Sequence, residues 1–158
     1  MTFLGSQTAT PMLIPPPLFR MKNRHTGFFM HSEHECWGNL RFHGVKCNPC
    51  QVFKAEKVFL NGKDGFRFIN LNSGYFIHAD NQGANKANIT LQPHKNDYCQ
   101  VFKIIPVSDG SNTFRLQNIS SGTHIHGDNN GTGNIRCIQG NSYDMCQIFY
   151  FDTDELKI

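Results

Sequence analysis

The stretch Phe66–Phe102, FRFINLNSGYFIHADNQGANKANITLQPHKNDYCQVF, decides how this chain is read. A version of it stands on each side. Upstream, Phe19–Phe53 runs FRMKNRHTGFFMHSEHECWGNLRFHGVKCNPCQVF, and downstream, Phe114–Phe149 runs FRLQNISSGTHIHGDNNGTGNIRCIQGNSYDMCQIF. Phe19, Phe66 and Phe114 open the copies; Asn23, Asn70 and Asn118 follow, then Gly27, Gly74 and Gly122, then His31, His78 and His126. Asn39, Asn88 and Asn134 each precede Leu or Ile, and each copy ends in Cys-Gln-x-Phe, at Cys50, Cys99 and Cys146. The spacing is 47 residues from Phe19 to Phe66 and 48 from Phe66 to Phe114. So many matches at fixed offsets establish a three-fold internal repeat.

Each copy offers four short strands. The first covers 18–23, 66–71 and 114–119, with apolar residues at alternate positions. Thr26-Gly27, Ser73-Gly74 and Ser121-Gly122 supply a turn, since glycine accepts positive φ without steric cost. The second strand covers 28–31, 75–79 and 123–127; Met30, Ile77 and Ile125 are expected to point inward and the flanking histidines outward, by the two-residue period of a strand. The third begins at Asn39, Asn88 and Asn134, and the fourth at Gln51, Gln100 and Gln147. Helical periodicity is absent. Three four-stranded units are too few for a propeller, but units that cannot bury an apolar face alone can do so together around a shared axis. The expected fold is all-β, a β-trefoil of twelve strands. Its single domain is expected over 18–158, with repeats near 18–60, 65–107 and 113–152. Residues 1–17, with Pro15–Pro17, read as an extended or disordered leader from which Met12, Leu13 and Ile14 could pack onto the domain.

Bulk properties narrow the function. With 17% charged and 39% hydrophobic residues the chain suits a folded soluble domain. Its net charge of +3 comes from scattered Lys and Arg, so no nucleic-acid partner is expected. No apolar run is long enough to span a bilayer, and no membrane insertion is expected. The N-terminal stretch lacks the basic and apolar regions of a signal peptide, which points to the cytoplasm or to secretion without a cleaved signal. Sequons stand at Asn88, Asn118 and Asn130. Of six cysteines, Cys50, Cys99 and Cys146 hold equivalent places and are read as small buried hydrophobes, while Cys137 could face Cys146 across a hairpin. Cys47-Asn-Pro-Cys50 has redox spacing without the helix that such a motif opens.

The Gly-x-x-[Ile/Met] of each second strand and the Gln-x-Phe of each fourth resemble the Gln-x-Trp repeats of ricin-B-type trefoil lectins. The resemblance covers residues 18–152 and implies a carbohydrate-binding protein with a shallow sugar pocket in each lobe. In that family an aspartate on the second strand and an asparagine before Gln-x-Trp bond the sugar. Those positions fall on His31, His78 and His126, and on Cys50, Cys99 and Cys146, so the pocket's location carries over and its residues do not.

The residues found there still suit polyols. His78-Ala-Asp80-Asn81 and His126-Gly-Asp128-Asn129 gather an imidazole, a carboxylate and an amide at one hairpin, the donor and acceptor mix that a sugar requires. His94 and Asn96 could close the second pocket. Lobe one carries His31, Glu33 and His43 with Trp37, the only tryptophan, whose indole suits stacking on a sugar face. Each histidine and aspartate could equally serve the hairpin itself, as a cap or turn former. The sites of lobes two and three are expected to be stronger than that of lobe one. Three weak sites, or more in a homodimer, would favour clustered glycans and glycoproteins by avidity. No cofactor is implied. His124-x-His126 and His31-x-x-His34 lack the second ligand pair of a zinc site. Catalytic elbows, phosphate loops and paired carboxylates are missing, so enzymatic activity is not expected. The alternative function is a trefoil protease inhibitor presenting the loop 58–65 or 107–112 to a protease cleft.

Overall fold

The computed structural model describes residues 13–34, 36–46, 50–95, 97–109, 111–140 and 145–156, apart from the side chains of Glu33 and His34. Twelve strands follow one another: β1 (Arg20–Asn23), β2 (Phe29–His34), β3 (Trp37–His43), β4 (Phe53–Leu60), β5 (Lys63–Asn70), β6 (Phe76–Ala79), β7 (Ile89–Gln92), β8 (Phe102–Pro106), β9 (Phe114–Asn118), β10 (His124–Gly127), β11 (Ile135–Ile138) and β12 (Phe149–Asp152). Every pairing is antiparallel. β1 pairs with β12, β4 with β5, β5 with β8, β8 with β9 and β9 with β12. The bridge Phe19↔Phe53, with N–H···O distances of 3.0 and 2.8 Å, closes these six strands into a barrel. The remaining strands form the hairpins β2–β3, β6–β7 and β10–β11. The hairpins cap the barrel and meet through Asn39↔Thr90, Arg41↔Asn134 and Asn88↔Arg136. This is the β-trefoil, with the strand order and the repeat that the sequence implies.

The repeat is also the layering of the core. Met21, Phe68 and Leu116 occupy one repeat position, Phe53, Phe102 and Phe149 another, and Met30, Ile77 and Ile125 a third; all nine are at most 1% exposed. The inward direction expected of Met30, Ile77 and Ile125 is therefore observed. Burying a side chain of this size contributes about 1.5–3 kcal/mol, so the fold draws its stability from three-fold repetition of the same few sites. Leu13 also packs against this core, whereas Ile14 is exposed. Residues 1–12 of the expected leader, Met12 among them, lie outside the described residues.

Three buried asparagines tie the lobes together. The Asn23, Asn70 and Asn118 side-chain oxygens each accept from two backbone N–H groups of the following turn, at 2.9–3.2 Å. Their amides donate to carbonyls of the segment before the fourth strand, as in Asn70 Nδ2 to Cys50 O at 3.1 Å and Asn118 Nδ2 to Tyr98 O at 3.2 Å. A buried amide with both ends engaged is strongly position-specific, because leaving either end unpaired is costly. Asn118 is fully buried, so its sequon is closed to glycosylation in the folded protein. Gln51 and Gln100 act in the same way on loop carbonyls, bonding Val45 O at 3.0 Å and Pro93 O at 2.9 Å.

Candidate functional site

The hairpin of lobe three is shaped by a run of left-handed residues. Asn129, Asn130 and Gly131 stand at φ of 53°, 59° and 87°, and lobe two repeats the run at Asn81, Gln82 and Gly83 with 50°, 55° and 75°. Asparagine and glycine are the residues that visit this region most readily, so Asp-Asn-Asn-Gly curls into a compact turn. Backbone bonds from Asp128 N to Asn134 O and from Gly133 N to Asp128 O, both 2.8 Å, clamp its base. The turn is seated against the next lobe, where Thr26 Oγ1 donates to Gly131 O at 3.0 Å. Asn129 and Asn130 are left exposed at its tip.

Beside this turn lies a cleft of about 740 Å³. His126 of β10 and Arg136 of β11, which face each other in the strand register, line one wall with Asp128. Arg136 Nε forms an ion pair with Asp128 Oδ2 at 2.7 Å, which holds the carboxylate and offsets its charge. Asn129, Asn130 and Asn134 add amides, and Cys146 lines the cleft from the segment before β12. Arg41 reaches it from lobe one, because the bridge Arg41↔Asn134 brings β3 alongside. The lining is thus rich in fixed donors and acceptors. Such a surface suits a ligand covered in hydroxyls.

Lobes one and two differ. In lobe two His78 is buried, 8% exposed, rather than outward-facing. The short turn Tyr98–Gln100 packs over β6 and covers the strand's second face, so the two-residue alternation fails there. Burial holds the His78 imidazole below its ordinary pKa, with Lys95 adding to the effect and Asp80 and Asp97 opposing it. Asp80 accepts from Thr90 Oγ1 at 2.9 Å and lies 3.9 Å from His78 Nε2. Of the candidate residues of lobe two, Asp80, Asn81 and His94 are therefore the accessible ones, the last edge-on to Phe76 with ring centroids 5.1 Å apart. Asn96 lies outside the described residues. In lobe one the His31 and His43 rings lie 4.8 Å apart, and burial, then His43 and Arg41, lower the His31 pKa. Trp37 is 53% exposed on the same hairpin. Glu33 belongs to β2, with its side chain outside the described residues.

A family profile described as ricin-type beta-trefoil lectin domain-like matches residues 49–140, more than half of the chain. The chain belongs to that family. No curated protein matches this trefoil lectin-like domain by sequence. Among solved structures it is similar to the designed three-fold symmetric protein ThreeFoil, at 15% identity and a TM-score of 0.75 over 87% of this chain and 99% of that one. It is similar as well to the Macrolepiota procera ricin B-like lectin in complex with lactose, at 11% identity and a TM-score of 0.70 over 93% and 99%. The Polyporus squamosus lectin bound to a sialylated trisaccharide epitope aligns at 14% identity and a TM-score of 0.73; 85% of this chain matches, covering 48% of that longer one. At these identities the likeness shows the fold.

Within the lectin-like domain, His126 and Cys146, the positions onto which the family's sugar-bonding aspartate and asparagine fall, both line the lobe-three cleft. The cysteines need one correction. Cys99 and Cys146 are buried thiols as expected, but Cys50 is disulfide-bonded to Cys36. That bond also removes Cys50 from a redox pair with Cys47, which lies outside the described residues. Cys137 and Cys146 form no disulfide, so they do not pair across the hairpin. Sequence reasoning missed Arg41, Asn130, Asn134 and Arg136 as cleft residues. A signal for two of them existed: Arg41 and Arg136 hold the same repeat position, two residues after Asn39 and Asn134, where lobe two has Thr90.

Proposed function

We propose that this domain is a non-enzymatic carbohydrate-binding lectin whose principal site is the lobe-three cleft. The observation that carries the reading is the lining of that cleft, a carboxylate held by an arginine and surrounded by exposed asparagine amides, in a member of the ricin-type family. Fixed polar groups at a concave rim recognise sugar hydroxyls without the rearrangement that a flexible surface would need. Among the described lining residues Asp128 is the only carboxylate, which fits binding better than acid–base hydrolysis of a glycoside. Lobe two, through Asp80, Asn81 and His94, and lobe one, through Trp37 and His43, would add weaker sites, and up to three on one body favour clustered glycans or glycoproteins. Dimerisation would raise that avidity further.

The Cys36–Cys50 bond favours an oxidising compartment over the cytoplasm. The protease-inhibitor alternative draws no support from residues 58–65, which form a fully paired hairpin from Val58↔Gly65 to Leu60↔Lys63 with a two-residue Asn61-Gly62 turn. A glycan array tests the lectin reading. Binding to at least one glycan class is expected, with a loss of about tenfold or more on Asp128→Ala. An array on which no glycan is bound would refute it.

A further inference from the structure

The three lobes do not offer equivalent clefts, and the difference lies in charge. Each hairpin meets its neighbour through the residue two positions after the repeated asparagine: Arg41 of lobe one bridges to Asn134 of lobe three, and Arg136 of lobe three bridges to Asn88 of lobe two. The third junction pairs Asn39 of lobe one with Thr90 of lobe two. Lobe three therefore receives an arginine from its neighbour and keeps one on its own β11. Lobe two has Thr90 on its own strand, and lobe one receives Thr90 from its neighbour. Two guanidinium groups consequently meet only at lobe three.

Those two arginines are not alike. Arg136 is held by Asp128 at 2.7 Å, so that pair is close to neutral. Arg41 is exposed at the cleft and, among the described residues, pairs with no carboxylate. A guanidinium presents a planar fork that matches a carboxylate or a sulfate ester through two parallel hydrogen bonds, which a hydroxyl cannot offer. Asn129 and Asn130 stand at the same cleft as donors and acceptors for neutral hydroxyls of the ring that bears the anion.

We infer that the lobe-three cleft selects glycans carrying an anionic substituent, with Arg41 as the group that reads the anion. The inference rests on the lectin reading of the same cleft and adds the class of sugar. Carboxylated and sulfated sugars share the required chemistry.

The test is calorimetric titration of the full chain with lactose, sialyllactose and lactose sulfate, next to an array of neutral glycans paired with their sialylated and sulfated forms. Tighter binding of the anionic member of a pair is expected, by about tenfold, and the preference should shrink as salt is raised. Arg41→Gln should abolish the preference, lowering the affinity for the anionic ligands to that for their neutral partners, with a far smaller change for the neutral ones. Arg41→Lys, which keeps the charge and loses the fork, should recover part of the preference. A preference confined to sialylated or to sulfated members identifies the anion. Equal or weaker binding of the anionic members overturns the inference while leaving the lectin reading in place. An anionic preference that survives Arg41→Gln overturns the role of Arg41. Absence of binding to any glycan removes both readings.

Discussion

Cys36 is disulfide-bonded to Cys50, and it makes that bond from a φ of 66°, the left-handed conformation that Gly83 and Gly131 take at the same repeat position. Lobe one has thus replaced the glycine of its hairpin turn with a covalent link to the segment before β4. The backbone there is fixed further by Cys36 N donating to Ser32 Oγ at 2.9 Å.

The bond joins residues 14 apart, and a cross-link of that span stabilises a fold by about 3 kcal/mol, chiefly by restricting the unfolded chain. Reduction should shift the urea midpoint down by the corresponding amount. The double variant Cys36→Gly, Cys50→Ala should lose less, about 2 kcal/mol, because glycine relieves the roughly 1 kcal/mol cost of a side chain at positive φ. Urea unfolding of the oxidised, reduced and double-variant proteins checks the order, and an unchanged midpoint on reduction would contradict it.

Gly74 and Gly83 separate conformation from packing. Both have positive φ, 73° and 75°. A Cβ on Gly74 would meet nothing within 4 Å, whereas one on Gly83 would stand 2.5 Å from Asn118 Oδ1 and 2.6 Å from Ser121 Oγ. Gly74→Ala should cost about 1–2 kcal/mol from the backbone alone. Gly83→Ala should cost that and about 2 kcal/mol more, because it displaces the Asn118 side chain from buried bonds. Thermal unfolding of both variants decides the point; equal losses would mean that the Asn118 clasp contributes little.

The fold was legible because the core repeats. Phe66, Ile77 and Phe102 recur in kind at matched positions on both sides, and local alternation was enough to place the strands. The buried asparagines were visible as repeat markers, but their role depends on partners far along the chain, as in Asn23 Nδ2 to Cys146 O, 123 residues away. No local pattern encodes such a pair. His78 was misplaced for the same reason, since the turn that covers it lies twenty residues downstream. Asp128 and Asn129 could be read within one hairpin, while Arg41 enters the cleft from another lobe.

Acid should destabilise the protein through imidazoles that are buried, at His78 and His124, or half-buried, at His31. Burial lowers the pKa of His31, His78 and His124 in the folded state. The unfolded chain therefore binds more protons than the folded one between those lowered values and the ordinary histidine pKa of about 6.5. Stability is complete above about pH 6.5 and falls as the pH drops below it. The Tm should decline from pH 7 towards pH 5, and His78→Gln should flatten the slope. A slope identical to that of the unsubstituted protein would remove His78 from the effect.

Substitutions at Asp128 and Asp80 should have unequal effects on glycan binding, because the two aspartates have different partners. Asp128 is ion-paired with Arg136, a charged neighbour that lines the cleft, whereas Asp80 accepts a hydrogen bond from the hydroxyl of Thr90. Removing the Asp128 carboxylate frees the Arg136 guanidinium and disrupts the wall of the cleft, so Asp128→Ala should lower affinity for a bound glycan by about tenfold or more. Asp80→Ala acts on a lesser site and should lower it by less than about threefold, reducing the number of sites rather than the affinity of the main one. Titration with a monovalent sugar measures affinity and stoichiometry separately. A larger loss at Asp80 than at Asp128 would move the principal site to lobe two.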